Sequence, residues 1–283
     1  MLRTRLWMGA VLIALASGVL IADEYLPPGY PFLFIFILAL ALAACYELLQ
    51  LIGSAIRLPA WLCHACVAAV LVANWPAHVF GLSSAWTWVA GTFAAAVLSS
   101  FLVEMATFRE PGGSVVRIAL VVLVTAYLGL LPSFLVQLRW PALEPEEAAR
   151  RGTVALALTI FVPKCCDIGA YFTGRLFGRH RMTPVLSPKK TWEGLAGGLL
   201  LAALTALAIN RLGSGLSDLA ALGFGVTVGG AGVLGDLAES LLKRDCRKKD
   251  ASQALPGFGG VLDVVDSVLF AAPVAYCWFR VAS

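Results

Sequence analysis

Apolar runs of roughly 20 residues, separated by short polar stretches, recur from one end of the chain to the other. A membrane-crossing helix needs about 20 such residues. The pattern predicts nine, over residues 6–22, 32–52, 59–75, 80–103, 117–137, 153–173, 194–210, 217–238 and 261–280. Proline-rich junctions such as Leu26-Pro27-Pro28-Gly29-Tyr30-Pro31 part them, and Trp7, Trp61, Trp75, Trp140 and Trp278 lie near predicted ends, where aromatic rings settle at the interface. The fold class is therefore all-α, a polytopic integral membrane helical bundle of about nine transmembrane helices. Arg3, Arg5 and the Ala14-Leu15-Ala16 stretch resemble a secretion signal, but the first run is read as an uncleaved span.

Composition agrees. Of 283 residues, 60% are hydrophobic and 13% charged, against about 25% charged in a soluble domain. No segment is polar enough to form a soluble domain. The net charge of +4 says less than where the charges sit. With the N-terminus in the cytoplasm, 15 Lys and Arg fall on that side and 5 on the other, with Lys164 inside a span. The positive-inside bias then sets the N-terminus in and the C-terminus out. Two basic loops, 174–193 and 241–260, share the cytoplasmic face, and the acidic 143–152 stretch becomes a solvated outer loop. The expected location is a multi-pass protein of the cell (inner) membrane.

Residues 1–150 read as N-terminal scaffold spans, quiet apart from Glu47 and Glu104 near span ends; residues 151–283 read as a catalytic membrane region carrying both basic loops. The seven cysteines read as small core residues. Cys63 and Cys66 flank His64 at metal-like spacing, but no second ligand pair follows.

Three late spans break the apolar rule. Lys164 and Asp167 lie three residues apart; Asp236, Glu239 and Ser240 fall at i, i+3, i+4; Asp263 and Asp266 at i, i+3. Each set shares a helix face. Intramembrane ionisable groups are costly and line polar cavities. Each has a plainer reading: a self-neutralising pair for Lys164–Asp167, helix-end solvation or dipole compensation for the others. The basic loops can likewise be explained by topology and anionic lipid. Two acidic faces beside two basic loops favour a site. Oxygen-only ligands suit a hard ion such as Mg²⁺, and adjacent Lys and Arg suit phosphates. Pro256 and Gly257 form a turn, and Gly259 and Gly260 bring backbone N–H groups to the start of the last span, where a helix N-terminus can hold an anion. Upstream glycines read as close helix packing, since no Walker pattern is present.

At these residues the chain resembles the phosphatidate cytidylyltransferases, or CDP-diacylglycerol synthases. The C-terminal signature reads here as Ser240, Lys243-Arg244, Lys249-Asp250, Pro256-Gly257-Phe258-Gly259-Gly260 and Asp263-Val264-Val265-Asp266. Upstream "DIGAYFTGRLFG", "SPKKTWEG" and "GDLAES" also match, so the likeness covers about residues 163–281. Phe258 replaces the family's His and Val264 its Arg.

The resemblance implies transfer of CMP from CTP to phosphatidate, giving CDP-diacylglycerol and pyrophosphate, with Mg²⁺ and a second, monovalent cation. Expected partners are the two substrates and membrane lipid, with no nucleic acid, and a homodimer as a candidate assembly. Carried onto this chain, the catalytic set is Asp236, Asp263, Lys243, Arg244, Lys249, Asp250 and Asp266; metal ligands are Asp236, Asp263 and Glu239. Substrate contacts are Asp167, Ser187, Lys189, Lys190, Thr191, Glu193, Ser240, Gly259 and Gly260. A phosphate monoester is largely dianionic at neutral pH, with a second pKa of about 6, so no general base is required and Phe258 is tolerable. Rival readings are a CTP-dependent lipid-alcohol kinase, a CDP-alcohol phosphotransferase, whose pattern fails after Asp266, and an ion or solute transporter.

Overall fold

The computed structural model describes residues 2–281 except 54, 55, 57, 83, 142–144, 249, 250, 253, 256 and 258, and no side chains for 2–6, 145 and 146. Its helices are α1 (Leu2–Glu24), α2 (Pro31–Ile52), α3 (Ala60–Val72), α4 (Pro76–Val79), α5 (Ala85–Thr107), α6 (Ser114–Thr125), α7 (Leu131–Gln137), α8 (Pro145–Phe177), α9 (Trp192–Asn210), α10 (Asp218–Asp245) and α11 (Val261–Val281). Among the described residues, nine helical stretches are long and apolar enough to cross a membrane, with α3–α4 and α6–α7 each counting as one. Residues 126–130 between α6 and α7 form a π-helical turn. The protein is a polytopic all-α membrane protein.

Local chemistry explains the starts and stops. Pro31 opens α2, and the buried Asp23 carboxylate accepts from the Phe32 and Leu33 N–H groups at 3.0 and 2.5 Å. Two otherwise unpaired helix-end donors are satisfied in this way. Gly53, at φ +77°, ends the same helix. Ser217 caps α10 by accepting from Ala220 N–H.

The spans lie where hydropathy predicts, with three differences. The acidic 145–152 stretch is not an outer loop but the first two turns of α8, a 33-residue helix. Residues 181–191 fold into a hairpin, β1 (Arg181–Thr183) and β2 (Ser187–Thr191), paired antiparallel. Trp75 is buried and Trp140 partly buried, rather than standing free at span ends. They pack edge to face at 5.5 Å, and their indole N–H groups donate to Gly29 and Pro28 carbonyls at 2.7 and 3.0 Å. Trp7 and Trp61 are exposed.

Helices α8, α9, α10 and α11 form the tightest part of the bundle, and glycines set how closely they approach. A Cβ at Gly169 of α8 would lie 3.0 Å from the Gly197 carbonyl oxygen and 3.1 Å from Gly198 Cα on α9. At Gly225 of α10 it would meet the Ala203 backbone of α9. At Gly235 of α10 it would lie 3.1 Å from the carbonyl carbon of Asp266 and from Ser267 Cα on α11. This last contact presses two acid-bearing helices together. Helix α11 also packs on α2 and α7, and so joins the two halves of the chain.

Candidate functional site

The backbone contact at Gly235 places Asp236 next to α11. Asp236, Glu239 and Asp266 each offer a carboxylate oxygen, and the three oxygens lie within 4.8 Å of one another. Glu239 is 1% exposed and Asp266 5% exposed. Like charges this close repel unless cations intervene. Three lysines from three elements do so. Lys190 of β2 lies 2.7 Å from Asp236 Oδ2. Lys164 of α8 lies 3.5 Å from Asp266 Oδ1. Lys243 of α10 lies 2.5 Å from Glu239 Oε2 and 2.6 Å from Asp263 Oδ1. Asp167 lies within electrostatic reach of Lys164, Lys190, Asp236 and Asp266. Five carboxylates thus face three lysines, leaving two negative charges in excess when all are ionised.

The site also passes a chemical test for a divalent ion. Glu239 Oε1 is buried and has no hydrogen-bond partner among the described residues. An unpaired carboxylate oxygen in a dry interior is costly, and a cation among the three acids would satisfy it. The donor set is all oxygen, which fits a hard ion such as Mg²⁺. The residues that fit are Asp236, Glu239 and Asp266.

Asp263, expected as a metal ligand, stands beside this trio rather than within it. Its Oδ1 takes Lys243, and its Oδ2 accepts from Gly260 N–H at 2.6 Å and Ala251 N–H at 3.3 Å. It fixes the loop before α11 and adjoins the trio, in contact with Glu239 as well as with Lys243. Lys243 is itself 9% exposed and held by two acids, Glu239 and Asp263. Lys164 makes its ion pair with Asp266 across helices and attracts Asp167 on its own helix from farther off.

Other expected contacts turn out to shape the site's frame. The Thr191 hydroxyl accepts from Gly194 N–H and caps α9. Glu193 accepts from the Arg179 and His180 N–H groups and the His180 ring, bracing the turn before the hairpin. Ser187 opens β2, and its carbonyl accepts from Thr183 Oγ1. Ser240 contacts Asp236 at 3.5 Å. Gly259 N–H donates to the Leu255 carbonyl and Gly260 N–H to Asp263. Lys189 and Arg244 remain exposed; among the described residues Arg244 makes only long contacts, 3.5 Å, to the Leu186 and Lys248 carbonyls. Lys249, Asp250, Pro256 and Phe258 lie outside the described residues. Val264 is half-buried on α11.

Two residues outside the expected set also reach this end of the bundle. Lys164 was noted but not placed in the site. Glu47 of α2, read as part of the scaffold, accepts from Ser252 Oγ, Val261 N–H and Leu262 N–H at 2.6, 3.0 and 2.8 Å. A glutamate near a span end was the only trace of it in the sequence.

Residues 3–282 match the model of the cytidylyltransferase family. A phosphatidate cytidylyltransferase of Haemophilus influenzae is 40% identical over 136 residues, covering 46% of this chain and 47% of that protein. A phosphatidate cytidylyltransferase of Thermotoga maritima is 44% identical over 121 residues, 41% of this chain and 45% of that protein. An uncharacterized protein of Escherichia coli, YnbB, is 36% identical over 141 residues, 50% and 47% of the two chains. The chain spans about half the length of the curated relatives it matches. The match to the family model runs almost end to end, and on that ground the chain belongs to the cytidylyltransferase family.

Proposed function

We propose that the protein is a phosphatidate cytidylyltransferase, making CDP-diacylglycerol and pyrophosphate from CTP and phosphatidate. One observation carries this reading: an acidic trio with an unpartnered Glu239 oxygen, ringed by lysines, beside exposed Lys189 and Arg244. That combination suits two anionic reactants that must approach each other.

In the reaction, a phosphatidate phosphate oxygen attacks the α-phosphorus of CTP. A new P–O–P bond forms, the bond between the α-phosphorus and its bridging oxygen breaks, and pyrophosphate leaves with that electron pair. The attacking phosphate is already largely dianionic, so no side chain has to remove a proton. Asp236, Glu239 and Asp266 would hold Mg²⁺, which when bound supplies charge neutralisation at the reacting phosphates. Lys190 and Lys164 keep Asp236 and Asp266 in place from outside the trio. Lys189 and Arg244 hold the triphosphate and the departing pyrophosphate. Lys243 locks Glu239 to Asp263 and so sets the spacing of α10 and α11. The N-terminus in, C-terminus out arrangement places these groups on the cytoplasmic face, where CTP is found, with the trio inside the inner membrane's near leaflet.

Purified protein with phosphatidate, Mg²⁺ and each of the four nucleoside triphosphates tests the reading. Pyrophosphate release with CTP, stopped by a chelator and restored by Mg²⁺, is expected. Transfer of the γ-phosphate to lipid would point instead to a kinase. Solute flux in proteoliposomes without nucleotide, and no pyrophosphate, would point to a transporter.

A further inference from the structure

Helix α11 begins at Val261, and its first N–H groups have no partner within the helix. The sequence offers that N-terminus to a substrate anion. The structure fills it from inside the chain. Glu47 reaches across from α2, 214 and 215 positions away in sequence, and accepts from Val261 and Leu262 N–H. It is 4% exposed, and among the described residues all its hydrogen-bond donors are neutral. A buried carboxylate without a lysine or arginine is costly. Here the positive end of the α11 dipole and three donors offset that cost.

The fit is close. A Cβ at Gly260 would lie 2.9 Å from Glu47 Oε1 and 2.8 Å from its carboxyl carbon. The same carboxylate accepts from Ser252, and Lys248 donates to the Gln50 carbonyl three residues further along α2, at 2.6 Å. The end of α2 therefore holds both the basic loop and the first turn of α11. That turn carries Asp263, and Asp266 follows on the next.

We propose that Glu47 is a positioning residue of the reaction: it caps α11 and thereby sets where Asp266 meets Asp236 and Glu239. The inference rests on the cytidylyltransferase reading for its kinetic part and on the hydrogen bonds alone for its structural part. Misplacing a catalytic group by 1 Å can cost about 100-fold in rate.

Glu47→Ala removes all three acceptor contacts. Glu47→Gln keeps a carbonyl oxygen for Ser252 and Val261 but turns an amide N–H₂ toward Leu262. Both are measured in lipid nanodiscs for pyrophosphate release and for hydrogen exchange of the 255–270 segment. Expected is a graded loss, with kcat down about 100-fold in Glu47→Ala and about 10-fold in Glu47→Gln, and KM for CTP changed by less than about 3-fold. Exchange at Val261 and Leu262 should rise in the same order, about 10-fold in Glu47→Ala. Wild-type kcat in Glu47→Ala would overturn the proposal. So would equal losses in both variants, because a role of the charge alone does not distinguish them. Unchanged exchange in Glu47→Ala would remove the cap itself. A wild-type chain that releases no pyrophosphate would refute the proposed reaction, and the exchange data would still decide the cap.

Discussion

On the first turns of α11, Asp263 faces Lys243 and the loop amides, while Asp266 faces Asp236 and Glu239. The two residues therefore answer differently to the same change. Asp266→Asn and Glu239→Gln each remove a charge from the trio and should lower kcat by about 100-fold or more, with span insertion intact. Asp263→Asn keeps an oxygen that can accept from Lys243, and should cost less. Pyrophosphate release by the three purified variants gives the order; an Asp263→Asn loss larger than that of Asp266→Asn would return Asp263 to the centre. The i, i+3 spacing in the sequence brought out all four acids, because residues that share a helix face can be counted. It could not choose between Asp263 and Asp266. That choice depends on how α11 is rotated against α10, and the Gly235 contact sets the rotation. Glu47 was illegible for a related reason: its partners lie more than 200 positions away, and nothing local marks it.

Among elements, the apolar spans were the easiest to read, since one physical constraint, the thickness of the bilayer, dictates their length. The 181–191 hairpin was not legible. It is short, its β2 sequence Ser-Pro-Lys-Lys-Thr is polar, and it shows no apolar alternation. The start of α8 was hidden because its acidic first turns read as solvated loop; charges at a helix N-terminus are compatible with both. The junction of hairpin and helix can be tested directly. Thr191 caps α9 through Gly194 N–H, and a Cβ at Gly174 or Gly178, at the end of α8, would run into its side chain. Thr191→Ala should destabilise the protein by about 1 kcal/mol, and Thr191→Ser should retain most of that. Thermal denaturation in detergent measures both; equal midpoints for wild type and Thr191→Ala would discard the cap.

Taken whole, the molecule joins a half that looked inert to a half that looked chemical. The division at residue 150 follows charge density along the chain, but α11 packs on α2 and α7 as well as on α8 and α10. A boundary drawn from composition cannot see that. The proposed orientation has a test of its own. Val185, 94% exposed at the hairpin tip, and Leu212, 58% exposed beyond α9, lie on opposite sides of the one helix that separates them. In a background without native cysteines, Val185→Cys should react with a membrane-impermeant thiol reagent only from the cytoplasmic side, and Leu212→Cys only from the other. Labelling of both from one side would rule out α9 as a span.

The hairpin has one more consequence. Thr191 is both the last residue of β2 and the N-cap of α9, so no slack chain separates strand from helix. A flap needs a hinge, and this one has none on the α9 side. Lys189 stands only two peptide units from the residue that caps α9. The hairpin is thus a rigid extension of a helix that packs on α8 and α10, and a displacement of the strands would carry α9 with it.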